Sequence, residues 1–131
     1  MKLLVVDDKT SIRSAMTAIL HELGFNDIVE AVDGNDAWFK LKAEFEGKKP
    51  DVFDLIISDM EMPVMSGLEL LKAVRGDSVL SKTPFIMVTT VNTKEIILAT
   101  MKLGIKAYII KPFDKASVTI KLTQAGFLKG K

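Results

Sequence analysis

Asp7-Asp8, Asp59, Thr89 and Lys111 are the residues whose types could do chemistry together, and each follows directly on a short apolar run: Leu3–Val6, Leu55–Ser58, Phe85–Val88 and Ala107–Ile110. Adjacent acids at the end of such a run repel one another and resist burial, so their position asks for a cation. Oxygen ligands without a nearby histidine or cysteine select a hard octahedral ion, Mg2+ or else Mn2+, which keeps several waters and commonly meets a phosphate. A lysine facing the cluster would neutralise phosphoryl oxygens, and a threonine hydroxyl would donate to one of them. The set predicts a phosphoryl-transfer site with an aspartate nucleophile, because carboxylates form acyl phosphates. Asp59 is the expected acceptor, since it stands alone on its strand and leaves Asp7 and Asp8 to hold metal.

Taken singly, each residue has a plainer reading. Asp7-Asp8 suits the cap of a following helix, Thr89 a helix cap, and Lys111 an exposed surface. Their shared placement at successive strand ends favours a site, because open parallel sheets bind ligands beyond the carboxyl ends of their strands.

The elements that must position them follow from periodicity. Together with Ile28–Val32, the four runs above show little of the alternation of half-exposed strands, and they read as strands covered on both faces. Ile12, Ala15, Met16, Ile19, Leu20 and Leu23 follow the spacing of one buried helical stripe, with Thr10 or Ser11 as cap and Gly24 as stop. Ala37, Trp38, Leu41 and Phe45 mark a second helix, with Trp38 facing the core and Gly47-Lys48-Lys49-Pro50 closing it. Leu68, Leu71 and Val74 after Ser66-Gly67 mark a third helix, and Ile96, Ile97 and Met101, ending at Gly104, a fourth. Val118-Thr119-Ile120-Lys121-Leu122-Thr123 alternates like a strand, whereas chain order asks for a helix; we assign helix and expect it to be the least stable element. Alternating strands and helices demand parallel pairing with helices on both faces, hence a doubly wound five-stranded α/β sheet.

The 131 residues fit one domain spanning 1–131, and no apolar run approaches the roughly 20 residues needed to cross a bilayer. Cysteine is absent, which excludes disulfides and thiolate chemistry; we expect a cytoplasmic protein with no membrane partner. Residues 1–90 carry 10 basic and 15 acidic side chains, and residues 91–131 carry 8 and 2. Without clustered aromatics or a Lys/Arg block this asymmetry reads as a solvated lysine-rich face, and nucleic acid is not an expected partner. The single histidine, His21, reads as a surface residue, and Met60, Met62 and Met65 as adaptable packing or contact groups.

Leu4-Val5-Val6-Asp7-Asp8, Ser58-Asp59-Met60-Glu61-Met62-Pro63 with Gly67, Met87-Val88-Thr89, and Tyr108-Ile109-Ile110-Lys111-Pro112-Phe113 resemble the receiver domain of two-component response regulators, particularly the single-domain CheY-like chemotaxis regulators. The resemblance spans the chain and implies the flavodoxin-like strand order 2-1-3-4-5. It implies phosphorylation of Asp59 by a CheA-like sensor histidine kinase, with Mg2+ held by Asp7 or Asp8, Asp59 and the backbone carbonyl of Glu61. It makes Thr89, with Lys111, part of the phosphoryl site, Thr89 and Tyr108 the switch pair, and Pro112 a cis-proline. It implies a monomer whose output partner, a flagellar motor switch component or a phosphatase, meets the face of the fourth helix, fifth strand and fifth helix, near Lys94, Lys102, Lys106 and Lys115. Glu61, two residues beyond the acceptor, departs by adding a fourth carboxylate at the rim, which leaves phosphoryl lifetime open; Thr90 and Val91 occupy positions that tune that lifetime and partner choice, and the threonine-rich end departs from the charged helix expected there.

Three functions use these residues. The first is a phosphorylation-switched binding protein that catalyses only its own phosphorylation and dephosphorylation. The second is a phosphoryl relay or sink without a dedicated output partner. The third is a Mg2+-dependent aspartyl-phosphate phosphohydrolase, for which the sequence shows no substrate pocket or second catalytic acid.

Overall fold

A computed structural model describes residues 1–46 and 53–129, without the side chains of 44–46. The expected closure at Gly47–Pro50 and the side chain of Phe45 lie outside the described residues. Strands and helices alternate: β1 Lys2–Val6, α1 Thr10–Glu22, β2 Asp27–Ala31, α2 Gly34–Glu46, β3 Leu55–Asp59, α3 Gly67–Gly76, β4 Phe85–Thr89, α4 Lys94–Lys102, β5 Ala107–Ile110 and α5 Lys115–Gln124. Every strand pairing is parallel, in the order β2-β1-β3-β4-β5. The register sets Val6 against Ser58, Asp59 against Val88, and Thr89 against Ile110, so the carboxyl ends of four strands finish at one rim.

The alternation of side chains along each strand divides the core into two layers. Leu3, Val5, Leu55, Ile57, Ile86, Val88 and Ile109 pack with Met16 and Leu20 of α1 and Val118 and Leu122 of α5. Leu4, Val6, Ile56, Phe85, Met87 and Tyr108 point the other way, toward Ala37 and Leu41 of α2, Leu70, Leu71 and Val74 of α3, and the half-buried Ile97 of α4. Each fully buried side chain of this size stabilises the fold by roughly 1.5–3 kcal/mol before the entropy of ordering it is counted.

β1, β3 and β4 are buried as expected, but β2 is not covered on both faces: Asp27 and Glu30 are exposed, and Ile28 and Val29 are half-buried. It is an edge strand, which receives less cover than an interior one. Trp38 is likewise only half-buried, with the Lys42 ammonium 5.7 Å from its ring centroid.

The first helix starts differently from the expectation. Its N-cap is Lys9, without a side-chain capping bond, and Thr10 and Ser11 lie inside the first turn. The Asp7 carboxylate satisfies the Lys9 N–H at 2.9 Å instead. The stop is as predicted: Gly24 adopts φ 98°, its N–H donates to the His21 carbonyl at 3.0 Å, and the Phe25 N–H donates to that of Leu20 at 2.9 Å. This pair of bonds satisfies carbonyls that the helix itself leaves open, and the positive φ suits glycine.

The segment that alternates like a strand is the helix α5. Val118 and Leu122, four apart, are buried, whereas Ile120 is 55% exposed, so burial follows the helical period. Thr119 and Thr123 fit because their hydroxyls donate to carbonyls four residues back, those of Lys115 and Thr119, at 2.6 and 2.8 Å. Asp114 caps the helix, accepting from the Ser117 N–H at 2.8 Å.

Candidate phosphoacceptor and metal site

The rim gathers the buried Asp7 and Asp59 and the half-buried Lys111 into one cluster. Asp7 and Asp59 are 3% and 6% exposed, and the Lys111 Nζ lies 3.1 Å from Asp7 Oδ2 and 3.2 Å from Asp59 Oδ1. Asp8 is exposed beside them, yet one oxygen from each of Asp7, Asp8 and Asp59 can be chosen so that all lie within 4.8 Å of one another. Three carboxylates against one ammonium leave two negative charges uncompensated when all are ionised. Three oxygens at this spacing, with no imidazole or thiolate among them, fit a divalent hard cation.

The titration of the group reflects the same imbalance. Burial pushes the Asp59 carboxyl above its usual range, the Asp7 charge pushes it further, and Lys111 and the Glu61 backbone N–H pull part of the way back. Burial works against the charged form of Lys111, but its bonds and charge attraction to Asp7 and Asp59 outweigh this and hold it above the usual lysine range. Lys111 is therefore an ammonium at neutral pH.

The chain around Asp59 is tightly specified. The Gly67 N–H donates to the Met60 carbonyl at 2.9 Å, and a Cβ at Gly67 would collide with the Asp59 carbonyl. On the other side, the Gly34 N–H donates to the Met65 carbonyl at 3.0 Å, and a Cβ there would strike Met65. Between these clamps Val64, 80% exposed, takes φ 68°, a left-handed conformation that a β-branched residue adopts only under constraint.

Arg13 is a positioning group that sequence reasoning missed. Its guanidinium donates to the Asp7 carbonyl at 2.7 Å and pairs with Glu30 at 3.1 Å, tying the end of β1 to α1 and β2. The only sequence signal was a basic residue one turn into the helix after the acidic pair.

Thr89 is fully buried, and its Oγ accepts from the Val91 N–H at 3.0 Å. Tyr108 is buried as well, its ring inward and its hydroxyl donating to the Val91 carbonyl at 3.1 Å. Burial, reinforced by the Glu61 charge, raises the Tyr108 hydroxyl above its usual pKa. Thr89 and Tyr108 thus hold opposite ends of one residue. The Glu61 carboxylate is exposed and accepts from Thr90 at 3.4 Å; among the described residues its side chain is not in the metal-competent group. The Lys111–Pro112 peptide bond is cis. His21 is exposed.

Beyond Tyr108 a groove of about 330 Å³ runs between α4, β5 and α5, lined by Ile97, Met101, Ile105, Ile110 and Lys121. Lys106 belongs to its lining, Lys94 and Lys102 are exposed on α4, and Lys115 turns to Glu22 of α1 at 3.4 Å. No described helix is long and apolar enough to cross a membrane.

A five-stranded 2-1-3-4-5 sheet with acids and a lysine at its carboxyl rim is the architecture of a receiver domain. The profile of the response regulator receiver domain matches residues 3–123, and the chain belongs to that family. It is 41% identical over 122 residues to the chemotaxis protein CheY1 of Helicobacter pylori, covering 93% of this chain and 94% of that one. Among solved structures it is similar to the chemotaxis response regulator CheY4 of Vibrio cholerae, at 35% identity and a TM-score of 0.81 over 95% of this chain and 97% of that one. It is also similar to a chain of the CheX-CheY-BeF3-Mg2+ complex of Borrelia burgdorferi, at 27% identity and a TM-score of 0.85 over 98% and 90%. The chain is a CheY-type response regulator receiver, consistent with two-component chemotaxis signalling.

Proposed function

We propose that residues 1–131 form one receiver domain that is switched by phosphorylation of Asp59, receives the phosphoryl group from a phosphohistidine on a CheA-like sensor kinase, and works in the cytoplasm as a monomer. One observation carries this reading: two buried carboxylates share a single lysine at the rim, with a third acid beside them. A carboxylate oxygen of Asp59 attacks phosphorus, the P–N bond breaks with its electron pair going to the imidazole nitrogen, and an acyl phosphate remains on Asp59. Asp7, Asp8 and Asp59, with the Glu61 carbonyl, would hold Mg2+, or Mn2+ in its place. When bound, the ion supplies charge neutralisation for the phosphoryl oxygens and the acids.

Lys111 already touches Asp59 and keeps its proton, so it would pair with a phosphoryl oxygen without reorganisation. Thr89 would turn its hydroxyl to another. Doing so removes the acceptor of the Val91 N–H, and the same residue's carbonyl holds Tyr108. The new dianion is therefore felt at the ring that floors the α4-β5-α5 groove. An output protein with acidic and apolar groups, such as a flagellar motor switch component or a phosphatase, would dock there. The Borrelia complex supports the cofactor and a protein partner by analogy, since it joins a CheY to CheX, BeF3 and Mg2+.

Acetyl phosphate and Mg2+ should add one phosphate to the intact protein by mass spectrometry, and Asp59→Asn should remove the adduct. An adduct that persists in Asp59→Asn overturns the assignment. An adduct that changes affinity for no cellular protein would favour a relay or sink.

A further inference from the structure

Arg75, in the last turn of α3, lies far from the chemistry yet makes four hydrogen bonds to backbone carbonyls. Its Nη1 donates to Ser81 at 3.2 Å and Thr83 at 2.7 Å, in the turn before β4. Its Nε donates to Leu103 at 3.1 Å and its Nη2 to Gly104, at the carboxyl end of α4. Burial lowers its pKa, and it has no carboxylate partner among the described residues. The negative end of α4 and the turn carbonyls compensate the charge instead. Only a planar fork with donors in several directions meets four carbonyls at once.

The opposite end of α4 is held loosely. The Thr93 side chain makes no capping bond, Lys94, Glu95 and Ile96 are exposed, and Thr100, in the second half, is the residue of α4 that is buried. The loop from Thr89 enters at this loose end. A displacement at Thr89 and Val91 therefore reaches a helix that is pinned at one end and open at the other.

We infer that Arg75 is a positioning residue that pins the carboxyl end of α4, so that switching at Thr89 is expressed as a swing of the amino-terminal half of the helix. The inference rests on the proposed phosphorylation switch. With the pin in place the groove keeps its far wall at Ile105 and Lys106 while the wall nearest the acceptor moves.

Hydrogen–deuterium exchange of the intact chain tests this, with peptides covering residues 92–98 and 101–106. The reporters in the second peptide are the amides of Leu103, Gly104 and Lys106, bonded to the carbonyls of Thr100, Met101 and Phe85. In the wild type, acetyl phosphate with Mg2+ should change exchange in 92–98 severalfold and leave 101–106 within about twofold. In Arg75→Gln, 101–106 should exchange about tenfold faster before phosphorylation, and the response should spread into it, with adduct yield unchanged. Arg75→Lys, which keeps the charge and loses the fork, should fall between. Equal responses of both peptides in the wild type, or an unaltered 101–106 in Arg75→Gln, overturn the inference while an adduct at Asp59 leaves the proposed function standing. A wild type that takes up no phosphoryl group sinks both. Should the Gln variant not fold, Arg75→Lys decides: exchange in 101–106 as slow as in the wild type, with the response still confined to 92–98, overturns the inference.

Discussion

The helices α3 and α4 lie on the same face of the sheet, each following a strand that ends at the rim, and they are held in opposite ways. α3 opens on a capping box in which the Glu69 N–H donates to Ser66 Oγ at 3.1 Å and the Ser66 N–H donates to Glu69 Oε1 at 3.0 Å; Gly67, Leu70, Leu71 and Val74 are buried. α4 opens without a side-chain cap and buries Thr100, whose hydroxyl donates back to Ile96 at 2.7 Å. The difference is one of local stability: elements with few buried contacts and open termini undergo local opening at low free-energy cost. The chain is held strongly around Asp59 and weakly beyond Thr89; under the proposed switch the first would preorganise the acceptor and the second would be the part that moves.

Breaking the strong side should have the largest effect. Gly67→Ala drives a methyl group into the Asp59 carbonyl, so it should cost about 3 kcal/mol or more in urea unfolding and displace the loop that follows Asp59. A loss below about 1 kcal/mol would show that the loop yields easily and the contrast is overstated.

Asp59→Asn should act in the opposite direction. Removing one of two carboxylates that share Lys111 leaves a one-to-one pair with Asp7, so the metal-free variant should be more stable by about 1 kcal/mol. The sign with pH follows from the raised Asp59 carboxyl. Above the unfolded value the unfolded chain has released its proton while the folded chain still holds it, so stability falls with rising pH until the folded group has titrated. The advantage of the variant should therefore be absent at acid pH, grow through that window and level off above it. Mg2+ should raise the wild-type melting temperature and narrow the gap. A variant less stable than the wild type at neutral pH without metal would contradict the charge imbalance.

Caps give a finer comparison. Ser66→Ala should cost about 1 kcal/mol, because it leaves the Glu69 N–H without its partner. Thr93→Ala should change stability by less than about 0.5 kcal/mol, because there is no side-chain capping bond to lose. Equal costs at the two sites would remove the distinction between the helices.

Much of this was legible in the chain itself. The apolar runs and the helical stripe of α1 name the elements because cover on both faces makes a strand apolar throughout, whereas cover on one face gives a helix a period of 3.6. Asp7, Asp8, Asp59, Thr89 and Lys111 could be grouped because parallel strands deliver their carboxyl ends to one rim. Even Gly24 announced its stop, since its φ suits glycine above other residues.

What tertiary structure decided is everything that depends on direction and on partners distant in sequence. Whether Ile120 points inward was settled by the sheet above α5, against its local alternation, and β2 proved half-exposed because it fell at an edge. The roles of Arg13 and Arg75 rest on carbonyls that many residue types could offer, so no pattern of side chains marks them. Sequence carries the identity of a group and its period, whereas bonds to another segment's backbone exist only once the chain has brought that segment near.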